Sequence, residues 1–318
     1  MVRRHWKALV SLALALAVGL WSLWLEPASL RVQQVDLALD WPYARPLRVT
    51  LVSDLHVGSP YQGLSRLPST VDRINATRPD IICLAGDFVT LGVIGGHVTP
   101  PEAIARELAR LRAPAGVFAV LGNHDRLYNG RRVRAALTTA GIRVLEDTSV
   151  TVLTPSGRIW ITGVSDFWTG RHDIGGALSM VTDSTAPILL LTHNPDLFPS
   201  IPSRVMLTLA GHTHGGQVRL PLIGAPVVPS RFGQRYAQGH VVEGGRHLFV
   251  STGIGTSDIP IRLGVPPTIF VLTLRAAAPS GPQESGLIAR SLGRAAAPRS
   301  RTRIAPGSSE GIDAWAHR

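Results

Sequence analysis

Five short polar clusters in this 318-residue chain combine side chains that bind metals and move protons. Ser53-Asp54-Leu55-His56 sets a carboxylate and an imidazole two residues apart, so both can reach one ion from a single turn. In Gly86-Asp87-Phe88-Val89 the glycine permits close backbone approach, and the carboxylate could bridge two ions. Gly122-Asn123-His124-Asp125 gathers three polar groups where only a turn is needed. Thr192-His193-Asn194-Pro195 adds one imidazole, and Gly211-His212-Thr213-His214-Gly215-Gly216-Gln217 offers two between glycines. Singly, several of these are ordinary: Gly-Asp is common turn chemistry, and a lone histidine is more often a satisfied polar residue. The weight lies in the ordered set, because each cluster follows a run that reads as a strand.

Those runs are the apolar, β-branched stretches 47–52, 80–85, 116–121, 188–191 and 205–209. Active-site residues of α/β folds gather in the loops after such strands. Helices are expected at 67–75, at 100–112 with Thr99 as cap and prolines in its first turn, and at 130–140, stopped by Gly141. Further strands read at 143–146, 149–154, 158–164, 247–250 and 268–274. Early strands alternate with helices and late ones mostly do not. This predicts an α/β fold of two packed mixed β-sheets flanked by helices. No internal repeat is present.

The ends differ in character from the middle. Residues 1–7 are basic, with Arg3, Arg4 and Lys7. Residues 8–25 carry no charge and are mostly apolar, and at 1.5 Å per residue they just span a hydrocarbon layer of about 30 Å. Trp6, Trp21 and Trp24 lie near its ends, where interfacial aromatic belts form, and no small-x-small cleavage site follows. The segment therefore reads as an uncleaved transmembrane signal anchor in the cell membrane, with the lipid bilayer as partner; a cleaved signal peptide of the same length is the alternative. The positive flank predicts an extracytoplasmic catalytic domain, and a cytoplasmic one is the alternative that a nucleotide-linked lipid precursor would need. A connector at 26–46 holds an edge strand at 30–39, the catalytic domain covers 47–274, and an Ala/Pro/Arg-rich tail at 275–318 is expected to be disordered. Of the net charge of +11, the N-terminus contributes +3 and the tail +4. The domain itself is thus only modestly basic and has no aromatic-basic stripe, so specific nucleic-acid binding and a nuclease are disfavoured. The single Cys83 excludes an intrachain disulfide and lies in an apolar run, as a buried thiol would. No protein partner is evident.

In the order Asp-x-His, Gly-Asp-x-Val, Gly-Asn-His-Asp, a single His and Gly-His-Thr-His, residues 47–274 resemble the calcineurin-like metallophosphoesterase superfamily. The glycine-rich extension to Gln217, Ser230-Arg231-Phe232-Gly233 and Gly253-Ile254-Gly255-Thr256-Ser257 resemble its branch of membrane-associated bacterial phosphohydrolases. The resemblance implies a four-layer αββα fold and two divalent metal ions. Asp54, His56 and His214 would hold the first, Asn123, His193 and His212 the second, and Asp87 would bridge them. It implies that His124 protonates the leaving group or stabilises transition-state charge, with Asp125 orienting it. Gln217, Arg231 and Arg262 are candidate substrate contacts.

Mixed nitrogen and oxygen ligands suit Mn, Fe, Zn or Co better than Mg or Ca. Two such ions, roughly 3.5–4 Å apart, can clamp an in-line displacement and turn a bridging water into hydroxide near neutral pH. With two carboxylates the site would carry a charge of about +2, suited to phosphate. The expected activity is hydrolysis of a phosphodiester or diphosphate by that hydroxide, on a lipid-linked substrate such as a UDP-acyl-sugar or a phospholipid. A broad phosphomonoesterase or nucleotide phosphatase would use the same site. A non-catalytic membrane-anchored binding module is the alternative of another class.

Overall fold

A computed structural model describes residues 2–277. In chain order the elements are α1 (Val2–Leu20), β1 (Arg31–Leu39), β2 (Leu47–Val52), α2 (Leu67–Ala76), β3 (Ile81–Leu84), α3 (Pro101–Leu108), β4 (Val117–Ala119) and α4 (Asn123–Thr139). Then follow β5 (Arg143–Val144), β6 (Thr148–Leu153), β7 (Arg158–Gly163), α5 (Ile174–Ser179), β8 (Ile188–Leu191), β9 (Leu207–Ala210), β10 (Gly239–Glu243), β11 (Arg246–Val250) and β12 (Thr268–Ala276). Two six-stranded mixed sheets result, in the orders β1-β12-β2-β3-β4-β5 and β10-β11-β9-β8-β7-β6. Within the first, β2, β3, β4 and β5 run parallel, and β12 pairs antiparallel with β2. Within the second, β7, β8, β9 and β11 run parallel.

Strand alternation explains the layering. In β3, Ile81 and Cys83 join Val49, Leu51, Ile161, Leu189, Leu207 and Phe249 in a core drawn from both sheets. Ile82 and Leu84 point the other way, against Val71 and Ile74 of α2, Ile104 and Leu108 of α3 and Val133 and Leu137 of α4. The far face of the second sheet packs Trp160, Ile188, Leu190 and Leu248 against Ala177, Phe198 and Tyr236. Strands covered on both faces read as continuous apolar runs, which is how 81–84 and 188–191 appear in the sequence.

Two expectations need correcting. The edge strand belongs to the domain, since β1 pairs in parallel with β12 along its full length from Arg31 to Leu39. The domain therefore begins upstream of Leu47. Thr99 does not cap α3: the cap position is Pro100 and makes no side-chain bond, while the Thr99 hydroxyl is buried without a partner. The helix expected at 130–140 is present as the second part of α4: the chain breaks at Asn129 (φ −177°), and a short helical stretch from Asn123 precedes the break. The predicted tail lies outside the described residues, apart from its first three; of these, Arg275 and Ala276 complete β12.

The N-terminal helix is long and apolar enough to cross a membrane over His5–Leu25, and none of that span is buried in the protein. It is a candidate anchor. Its last residues, Trp21–Leu25, form a π-helical turn, and the Trp21 indole donates to the Glu26 carboxylate at 2.6 Å.

Candidate active site

The five clusters follow β2, β3, β4, β8 and β9. These strands are parallel within their sheets, so their C-terminal ends open at one edge of the sandwich. Backbone bonds knit the loops there. The Asp54 N–H donates to Gly86 O, His56 N–H to Asp87 O and Gly211 N–H to His193 O, all at 2.9–3.0 Å. Glycines let them approach: a Cβ on Gly122 would sit 2.1 Å from Asp87 Oδ1, and one on Gly86 would sit 2.8 Å from His193 Nδ1. Asp54, His56, Asp87, His212 and His214 all have φ between +38° and +72°, the left-handed region that non-glycine residues rarely adopt. Such strain persists only where surrounding contacts over-determine it, and it concentrates at functional sites.

Seven donor atoms converge. His56 Nε2 lies 3.2 Å from His214 Nε2, which lies 3.5 Å from Asp54 Oδ1. Asn123 Oδ1 lies 3.0 Å from His193 Nε2 and 3.1 Å from His212 Nδ1, and these two nitrogens are 3.2 Å apart. Asp87 Oδ2 stands between the groups, 3.5 Å from His56 Nε2 and 3.3 Å from His193 Nε2. Ligands bound at about 2.0–2.2 Å to one ion lie about 3.0–3.5 Å from each other, so both groups have the spacing of metal coordination. The His56 and His214 rings are stacked at 5.1 Å and 22°, which takes their nitrogens off line for a bond to each other.

The electrostatics agree. Burial pushes His56 and His212 down to about 3 and His214 well below its usual range, so these rings are neutral, the ligand form. Burial lifts Asp54 to about 6. Burial opposes ionisation of Asp87 as well, but the imidazoles of His193, His56 and His124 hold it below the usual carboxylate range. His193 goes the other way: against burial, Asp87 and Asp54 raise it well above its usual value. Two buried carboxylates thus draw a proton onto His193, and a cation would meet the same demand. The His193 Nδ1–H donates to Ala85 O at 2.7 Å, which leaves Nε2 to face the site. The residues present therefore fit divalent metal.

The other predicted residues divide. His124 lies at the cavity, half-buried, its ring edge-on to His56 at 4.7 Å and its Nδ1 without a partner. Asp125 does not orient it. The Asp125 carboxylate instead accepts the N–H groups of Asp87, Phe88, Val89 and Gly122 at 2.8–3.0 Å, and so holds the Asp87 loop against the start of α4. Burial and the charge of Asp87 push its pKa up to about 7. Gln217 borders the cavity, but its amide accepts from Ser257 N–H and donates to the carbonyls of Ser257 and Ile259. Arg231 lies 4.7 Å over the Phe167 ring, outside the cavity lining. Arg262 is fully buried and donates to the carbonyls of Thr252, Gly255 and Val265, so it clamps a loop and cannot touch substrate.

The cavity in front of the seven atoms holds about 350 Å³. Trp168, Val227, Pro229 and Asp258 line it, none of which the motifs pointed to. Trp168 stands edge-on to His212 at 4.2 Å, and the Asp166 carboxylate accepts the N–H groups of Trp168 and Thr169. It too follows a parallel strand, β7, so the strand-end argument could have found it.

Comparison with known proteins points the same way. The family model for calcineurin-like phosphoesterases matches residues 47–216. The uncharacterized metallophosphoesterase YkuE of Bacillus subtilis is 34% identical over 231 residues, 72% of this chain and 79% of that protein. Phosphodiesterase YaeI of Escherichia coli is 31% identical over 253 residues, 78% of this chain and 90% of that protein. The UDP-2,3-diacylglucosamine pyrophosphatase LpxG of Chlamydia trachomatis is 28% identical over 262 residues, 66% of this chain and 77% of that protein. With the family's motifs assembled at one sheet edge, this chain belongs to the calcineurin-like metallophosphoesterases, a family of phosphoester hydrolases.

Proposed function

We propose that the protein is a two-metal phosphohydrolase that cleaves a phosphodiester or diphosphate on a membrane-held substrate. One observation carries the reading: two groups of three donor atoms, each at ligand spacing, flank the single oxygen Asp87 Oδ2. Asp54, His56 and His214 would hold one ion, Asn123, His193 and His212 the other, and Asp87 would serve both. Bound divalent ions would polarise the phosphoryl group and make water a nucleophile near neutral pH.

The chain's own groups do the rest. Asp125 fixes the loop that presents Asp87, through four amide donors. The Asp87 Oδ1 accepts the His124 backbone N–H at 2.9 Å, which fixes the residue whose ring lines the cavity. From there the imidazole can give a proton to the departing oxygen. Trp168 walls the cavity on the His212 side. Similarity to a phosphodiesterase and to a pyrophosphatase of a diacylated nucleotide sugar supports a diester or diphosphate over a monoester, and the candidate anchor supports a lipid-linked compound.

The test uses the full chain in detergent. Hydrolysis of bis(4-nitrophenyl) phosphate and of 4-nitrophenyl phosphate would be compared with added Mn²⁺, with chelator, and in Asp87→Asn. Metal-dependent turnover that falls in Asp87→Asn supports the assignment, and a diester preference supports the substrate class. A monoester preference would favour the nucleotide phosphatase. A folded protein that binds no divalent ion would overturn the reading.

A further inference from the structure

One segment, residues 257–263, joins the apolar helix to the cavity. The Arg262 N–H donates to Ser22 O in the last turns of the helix at 2.9 Å. At the other end of the segment, Ser257 and Asp258 line the cavity. Leu263 N–H donates to Gln217 O at 2.9 Å, and Arg219 N–H returns to Leu263 O at 2.7 Å. Just beyond Arg219 the chain makes a tight hairpin. Leu220 and Gly224 exchange backbone bonds at 2.8 and 2.9 Å, with Leu222 at the tip at φ +67°. The Gln234 side chain fixes this tip, accepting Ala225 N–H and donating to Ile223 O.

The hairpin presents apolar side chains to solvent. Leu222 is fully exposed, Ile223 is 63% exposed and Val227, at the cavity itself, is 75% exposed. Ile259 and Ile94 are exposed too, and the Ile94 N–H donates to Asp258 O on the segment that borders the cavity. Clustered apolar exposure of this kind marks an interaction surface. The stretch 218–235 contains three arginines and no carboxylate; Arg235 is paired with Glu243, which leaves Arg219 and Arg231 as the charges that suit anionic lipid headgroups. Trp21 and Trp24, at the end of the helix beside this segment, are residues of the membrane interface.

We propose that the 220–224 hairpin, with Val227 and Ile259, is a wedge that enters the interfacial layer of the bilayer crossed by the N-terminal helix, so that the cavity opens onto the membrane surface. The proposal rests on the membrane-held substrate proposed above and states how it arrives: a phosphate at headgroup depth reaches the cavity while its acyl chains stay in lipid. The bilayer is favoured as occupant because the wedge is hydrogen-bonded through one segment to the helix that would span it.

Depth measurement tests this without any assay of turnover, so its failure is separable from failure of the hydrolase reading. Full-length protein with Cys83→Ala is given one cysteine at a time, Leu222→Cys, Leu153→Cys or Leu14→Cys. Each is labelled with an environment-sensitive fluorophore and reconstituted in phosphatidylethanolamine–phosphatidylglycerol vesicles. Leu153 is an exposed control on β6, and Leu14 is an internal control for the span. The expected result is that the label at 222, like that at 14, is quenched by lipid-borne nitroxide and is several-fold less sensitive to iodide than that at 153. A label at 222 that behaves like that at 153, while 14 lies in lipid, overturns the wedge alone. Shielding from iodide without quenching by lipid nitroxide means that protein, such as a second copy, covers the tip, and also overturns it. Exposure at both 222 and 14 overturns the wedge and the anchor together.

Discussion

Asp125→Asn discriminates sharply between two roles for a buried carboxylate. Each oxygen of Asp125 accepts two amides: Oδ1 those of Phe88 and Val89, Oδ2 those of Asp87 and Gly122. An asparagine keeps one oxygen and turns an NH₂ toward the other pair. Whichever way it flips, two buried N–H donors lose their acceptor. At about 1–3 kcal/mol for each orphaned group, the penalty is about 2–6 kcal/mol. The loop escapes it by moving, and Asp87 moves with the loop. Outer-shell losses at metal sites typically cost about 10–100-fold in metal affinity or activity, and this one should lie toward the upper end. The assay is calorimetric titration of Mn²⁺ into the metal-free full chain, beside kcat on an aryl phosphodiester. Weaker metal binding with a lower melting temperature of the metal-free protein is expected. If metal affinity and melting temperature hold while kcat falls only for poor leaving groups, Asp125 works through His124 and the loop argument is refuted.

His124→Ala should lower kcat by about 10²–10⁴ on an alkyl leaving group and far less on nitrophenolate, with metal affinity unchanged, since only the first leaving group needs a proton. Asp87→Asn should weaken both bound ions together, read as metal content after dialysis; loss of one ion alone would mean that Asp87 is not shared. Arg262→Met leaves the carbonyls of Thr252, Gly255 and Val265 without their donor and should destabilise the protein by about 2–4 kcal/mol in denaturant unfolding. An equally stable variant with a raised KM would return Arg262 to the substrate. Burial pushes the Cys83 thiol up to about 12, so almost no thiolate exists at pH 8. A thiol reagent should modify it only at the rate of unfolding, and rapid labelling of the native protein would contradict its place in the core.

Much of the site was legible because its signal is local. A candidate metal ligand after a strand needs only the right residue types in a short loop, so the candidates Asp54, His56, Asp87, Asn123, His193, His212 and His214 can be read from their motifs. The apolar runs that precede them are equally local, because a strand buried on both faces must be apolar throughout. Residues whose role depends on distant partners were misread. Gln217, Arg231 and Arg262 lie near the motifs in sequence and carry groups that bind phosphate. Yet the Gln217 amide is bonded to the Ser257–Ile259 backbone and the Arg262 guanidinium to three carbonyls, while Arg231 lies over the Phe167 ring outside the cavity lining. Trp168 follows β7, which is a local signal, but its stand against His212 depends on packing between separate segments.

The start of the domain shows the same division. The strand at 31–39 is visible as a pattern, but its partner β12 is more than 200 residues away, and no local feature says that the pair is parallel. Sequence alone determined the chemistry of this protein: which side chains could hold metal, that they follow strands, and that an apolar helix precedes them. Only the tertiary structure decided which polar groups remain free. Hydrogen-bonding capacity is finite, and whether an arginine or a carboxylate is spent on the protein's own backbone or left to meet a substrate depends on contacts between segments far apart in the chain.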